Sequence, residues 1–151
     1  MVADQVKSHE RRSLTAELID HMLKERNQLL SLLLQVSEAV SPDAPGQNLD
    51  IILEFRQVLV DYIAIDHFGL YERIIEGKER RKAVAELAVK IYPRIEKTTE
   101  IALAFDEKYN PDKNKIDLGL LHLDLSNLGE DLATRIELED QLINNLLERH
   151  D

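Results

Sequence analysis

The sequence contains no cysteine and no tryptophan. Without a thiol there is no disulfide, no thiolate metal ligand and no cysteine nucleophile. Glycine and proline are scarce, five and four among 151 residues, and aromatic residues make up only 5%. No glycine-rich stretch is present that could cradle a phosphate. No run reaches the roughly 18 consecutive apolar residues that a spanning helix requires, so no membrane segment is expected. Met1 to Arg12 is polar and charged, without an apolar signal region, and a cytoplasmic location is expected. Positive charge is in deficit as well: 19 Lys and Arg face 29 Asp and Glu, for a formal charge of -10. So acidic a chain lacks the basic footprint that phosphate backbones demand, and direct nucleic-acid binding is not expected. Its surface suits a basic partner, most naturally another protein.

What is present is apolar material in a helical rhythm. Hydrophobic residues reach 44%, too many for a disordered acidic tail, and the length allows a sizeable core. Five of the nine glycines and prolines gather at three points: Ser41–Gln47, Glu76–Arg81 and Asn110–Lys115. They divide the chain into four long segments, near Ser13–Val40, Asn48–Glu76, Glu79–Tyr109 and Lys115–Arg149. None shows the period-2 alternation of a strand. Ser13 and Asn48 are candidate caps, Gly77 a C-terminal stop, and Asn114 with Asp117 a capping-box-like pair. Pro93 falls inside the third segment and either kinks or breaks it. A kink is favoured because the apolar period continues through it.

The seams repeat at bundle spacing. Segment two carries Leu49, Ile52, Leu59, Ile63, His67, Leu70 and Ile74. Segment three carries Val84, Leu87, Ala88, Ile91, Ile95, Ile101, Ala102 and Phe105. Segment four carries Leu118, Leu121, Leu125, Leu128, Leu132, Leu142 and Leu146. Short connections make neighbouring helices antiparallel. The expectation is an all-α, up-down-up-down four-helix bundle over 13–151, preceded by a flexible segment 1–12.

Ionisable residues interrupt these seams. The seven-residue pattern puts His21 and Glu25 on segment one, Arg56 and His67 on segment two, and Arg135 and Glu139 on segment four. Counted from the Ser41–Gln47 end, His21, His67 and Arg135 share a depth, with Glu139 one turn lower near Glu72. An internal polar network of His21, His67, Arg135 and Glu139 is therefore expected, since buried charge must be paired and polar seam positions specify register. A ferritin-like metal site would need Glu-x-x-His motifs, which are absent. A haemerythrin-like site would need more histidines at helical spacing. Ser13, Ser31, Ser37 and Ser126 show no His/Asp arrangement of a nucleophilic site. Neither catalysis nor a cofactor is expected.

A second signal lies opposite the core. At 100° per residue, Asp61, Ile65, Phe68 and Glu72 share a stripe facing away from Ile63, His67, Leu70 and Ile74. Leu23, Asn27, Leu30 and Leu34 do the same on segment one. Such a stripe is covered by extra burial, or it offers a partner apolar anchors with an acidic rim.

The run Leu59 to Ile74, LVDYIAIDHFGLYERI, closely resembles the signature of the Rsd/AlgQ family, the regulators of sigma D. Ile91 to Glu96, with Pro93, resembles the family's third-helix block, and Leu132 to Ile143 its fourth-helix block. Leu18-Ile19-Asp20 and Leu23 to Arg26 match more loosely. The resemblance covers about Ser13 to Leu147. It implies a non-enzymatic four-helix bundle that binds region four of the primary sigma factor, the module that reads the -35 promoter element. Binding would sequester that region from core RNA polymerase and promoter DNA.

Carried over by position, the resemblance implies sigma contacts at Asp61, Phe68, Tyr71, Glu72, Asp20, Glu139 and Asp140. The outward stripe adds Ile65. His67 matches the motif histidine and takes an internal role. Two departures stand beside this surface: His21-Met22 where many members carry Arg-Trp, and Ile65-Asp66 where many carry small residues. A monomer or weak homodimer is expected. The alternatives are a haemerythrin-like metal-binding bundle and an oligomeric helical scaffold that uses the outer apolar stripes.

Overall fold

The computed structural model describes residues 2–39, 49–71 and 82–147, with side chains from Leu14 to Leu146. Four helices carry the fold, and no strand occurs among the described residues. They are α1 (Val2–Ala39), α2 (Leu49–Ala64), α3 (Lys82–Lys108) and α4 (Leu121–Leu147). A π-helical segment, Ile65–Tyr71, continues α2. The expected hinge stretches 41–47 and 76–81, the caps at Asn48 and Gly77, and Glu72 and Ile74 lie outside the described residues.

Cross-helix contacts fix the directions. Arg26 bonds Tyr62 and Glu139, while Leu18 meets Gly69 and Leu33 meets Gly129. Phe55 packs edge-on to Phe105 and Tyr71 to Tyr92. Arg135 reaches Thr98, and Tyr109 reaches Asp124. In each neighbouring pair one number rises as the other falls, so all neighbours are antiparallel and the bundle runs up-down-up-down. α1 packs chiefly on α2, and α3 on α4.

Two boundaries differ from expectation, and the helix expected to continue through Pro93 does so. α1 begins at Val2 rather than Ser13, because nothing between them breaks a helix: the stretch holds no Gly or Pro. α4 begins at Leu121, six residues after Lys115. There the Asp117 carboxylate accepts the Gly119 N–H at 2.9 Å, and this Asx turn displaces the expected cap. α3 runs unbroken through Pro93. Its packed face continues on both sides of the proline, as Ile91 and Ile95, and holds it.

The core is one cluster along the bundle axis. At one end Phe55, Phe105, Tyr109 and Leu121 pack together with Val36 and Ile52. The Phe55–Phe105 pair, 5.8 Å between centroids and nearly perpendicular, adds about 1 kcal/mol beyond area burial. That end is tied by Asp124, which accepts from the Tyr109 hydroxyl at 2.5 Å and pairs with Lys108 at 2.7 Å. Burial alone would raise the Asp124 carboxyl, but these two donors hold it below its ordinary value. Arg56, expected on the seam, is half-buried and pairs with Asp106 at 3.0 Å. Midway along the bundle the apolar filling is interrupted on every helix.

Candidate functional site

The interruption is a buried polar layer. On each helix it is bracketed by buried apolar residues: Met22 and Leu29, Leu59 and Leu70, Ile95 and Ala102, Leu132 and Leu142. Between them stand Arg26, Tyr62, Asp66, Thr98, Arg135 and Glu139, all buried. Removing a charge from water costs several kcal/mol unless partners replace the water. Here they do. Arg135, only 1% exposed, donates to Asp66 at 2.7 Å, Glu139 at 3.1 Å, Thr98 at 3.1 Å and Thr99 at 2.6 Å. Arg26 donates to the Tyr62 hydroxyl at 3.2 Å, Glu139 at 3.1 Å and Asp140 at 2.7 Å. Tyr62 in turn donates to Glu139. Glu139, with no exposed surface, thus joins two guanidinium groups and a phenol.

The environment sets the protonation states. Burial, reinforced by neighbouring Glu139, pushes the Asp66 carboxyl well above its ordinary range, with Arg135 opposing. Burial and the same acids push the Tyr62 and Tyr71 hydroxyls up, so both stay neutral. Burial works against the charge on Arg135, but Asp66 and Glu139 outweigh it and hold the guanidinium protonated. Two arginines thus face three acids, Asp66, Glu139 and the half-exposed Asp140. The layer is buried, though Arg135 and Thr99 also line a half-open groove between α2 and α3. It can lock the register of four helices.

The layer differs from its expected composition. Arg135 and Glu139 lie in it. His21 and His67 do not, which corrects their internal assignment. His21 is 61% exposed and faces Glu25 at 3.8 Å. His67 is exposed and edge-on to Phe68, 4.9 Å between centroids. The α2 seam runs Phe55, Leu59, Tyr62, Asp66, so the inward position is the one before the histidine. Past it, the wider π turn brings both Leu70 and Tyr71 inward. On α1 the seam runs Ile19, Met22, Arg26, Leu29, which places Arg26 inside rather than Glu25. Arg26, Tyr62, Asp66 and Thr98 all sit at 3–4 spacing from apolar core residues. That spacing was the available signal.

The outer residues also divide. Phe68 is 68% exposed, and the exposed Asp61, seven residues before it, accepts a hydrogen bond from Gln57 at 3.0 Å. Ile65 is half-buried against the core. Asp20 is exposed and pairs with Lys24 at 3.0 Å. Asp140 is half-exposed at the rim of the polar layer. Two expected surface contacts are corrected. Tyr71 is 1% exposed and Glu139 is fully buried, because the π turn rotates the first inward and the α4 seam claims the second. Leu30 and Leu34 do face solvent on α1.

Against the Phe68 turn lies a half-open apolar groove between α2 and α3, of about 360 Å³. Among the described residues no group of three or more His, Asp or Glu could hold a metal ion. No described helix is long and apolar enough to cross a membrane.

The chain matches the family model described as "Regulator of RNA polymerase sigma(70) subunit, Rsd/AlgQ" over residues 1–147. It is 34% identical over 134 residues to "Regulator of sigma D" of Yersinia enterocolitica, covering 84% of this chain and 78% of that protein. It is 35% identical over 134 residues to the protein of the same name from Yersinia pestis, with the same coverage. For the Shigella dysenteriae protein the identity is 31% over 131 residues, covering 84% and 82%. No solved structure matches the chain at a significant level.

Proposed function

This chain belongs to the Rsd/AlgQ family of regulators of the RNA polymerase sigma(70) subunit, and from that premise we propose that it is an anti-sigma factor acting on the primary sigma factor. It binds region four without catalysis and withholds it from core polymerase and from the -35 promoter element. The observation that carries this reading is that Phe68 and Asp61, seven residues apart, both stand exposed on an acidic bundle, within the sequence run that resembles the family signature.

The physical logic is competition. A promoter-reading helix-turn-helix presents basic residues to phosphates. A chain of formal charge -10 attracts the same residues. Phe68 supplies the desolvated anchor that interfaces concentrate their energy on, with Ile65, Asp61, Asp20 and Asp140 as its surroundings. The protein acts in the cytoplasm as a monomer or weak homodimer.

The test is capture from a bacterial lysate on the immobilised chain. Sequestration predicts recovery of the primary sigma factor without core polymerase subunits. Recovery of sigma only within holoenzyme contradicts it.

A further inference from the structure

We propose that the groove between α2 and α3 seats the apolar face of an amphipathic helix with basic flanks, one of its side chains filling the cavity beside Phe68. This rests on the sigma reading and says where on the bundle that partner's helix lies. The cavity, about 360 Å³, is half-enclosed and mostly apolar. Val60, Ala64 and Phe68 form one wall, and Tyr92, Ile95 and Leu103 the other. Two antiparallel helices with an apolar trough between them form the groove into which a third helix lays its i, i+3, i+4 anchors. Phe68 and Leu103 stand exposed on opposite lips, at 68% and 45%, so apolar surface extends beyond the cavity itself.

Charge decides the occupant. Glu96 and Arg135 line the groove, and the charge of Arg135 is already met by Asp66 and Glu139, which leaves Glu96. Glu100, exposed, follows it by one turn on α3, and Asp61, exposed, precedes Ala64 by one turn on α2. A helix lying in the trough therefore passes acids on both sides, which favours Lys or Arg beside its apolar stripe and disfavours an acidic one. A second copy of this chain, at formal charge -10, is repelled for the same reason.

The test is calorimetric titration of full-length primary sigma factor into the full chain and three variants. Ala64→Trp fills the cavity and is expected to weaken binding at least tenfold. Leu103→Ala removes an exposed lip without touching the core, and is expected to weaken it three- to tenfold. Val89→Asp alters an exposed apolar residue of α3 that does not line the groove, and is expected to bind as wild type. Circular dichroism checks that each variant keeps its helices. Wild-type affinity in both groove variants overturns the groove assignment and leaves the sigma reading standing, as does equal weakening by Val89→Asp. Failure of the wild-type chain to bind sigma overturns both. If Ala64→Trp loses helicity, Leu103→Ala decides alone.

Discussion

Arg135 is the residue whose removal the bundle tolerates least. Its guanidinium meets Asp66, Glu139, Thr98 and Thr99, with almost no water. Arg135→Met leaves Glu139 with one guanidinium and Asp66 with none. Breaking a buried pair by removing one partner costs about 3–5 kcal/mol. Urea denaturation should show a loss of that size. Tyr62→Phe, which deletes one donor to Glu139, should cost about 1–2 kcal/mol. Phe68→Ala, at an exposed position, should change stability by less than about 0.5 kcal/mol.

Asp131 carries a separate pH signature. Burial pushes its carboxyl from 3.8 up to about 6, with Arg135 nearby pulling the other way. The folded state therefore holds a proton that the unfolded chain releases. This contribution is fully present below pH 3.8 and is lost as pH rises through about 6. Asp131→Asn should remove it. The variant gains stability relative to wild type between pH 4 and pH 7, and the wild-type Asp131 carboxyl titrates near pH 6 by carbon NMR. A midpoint near pH 4 contradicts the assignment.

At the scale of elements, α4 is open to improvement. Gly129 sits in its interior, and a Cβ built there would meet only Leu33 at 3.9 Å, an ordinary contact. Gly129→Ala should therefore raise stability by about 0.5–1 kcal/mol through helix propensity, read as a higher melting temperature. α4 was also the helix most legible in the sequence. Its seam at Leu121, Leu125, Leu128, Leu132, Arg135, Glu139, Leu142 and Leu146 is buried at every position, because one strict repeat faces one core. α2 was less legible. Adjacent pairs such as Val58–Leu59 and Tyr62–Ile63 are both buried, so its seam is wide and either line could be followed. Apolarity favoured the line through Ile63, whereas the structure also buries Tyr62 and Asp66, whose partners come from α1 and α4. A polar residue is buried because of partners far away in sequence, and local periodicity does not contain them. The π turn is likewise invisible to a count at 100° per residue. On α3, Ile101 was expected inside and is 42% exposed, while Thr98 takes an inward place and donates to the Ile95 carbonyl at 2.6 Å.

At the scale of the molecule, the charge of -10 and the outward Phe68 act together. Steering by opposite charges is screened within about 8–10 Å at physiological salt. Affinity for the sigma factor should therefore fall between low and high ionic strength, mainly through slower association, as surface plasmon resonance at two salt concentrations would show. Apolar anchoring should leave dissociation much less affected. A salt-independent association rate would mean that the acidic surface does not guide the encounter.

The most direct measurement is calorimetric titration of the full-length primary sigma factor into the wild-type chain, Asp61→Ala and Phe68→Ala, each checked for helical content. Sequestration through the outer face of α2 and the π segment predicts a one-to-one complex with the wild type, and affinity at least five- to tenfold weaker for each variant with the fold intact. Unchanged affinity in both variants would contradict it.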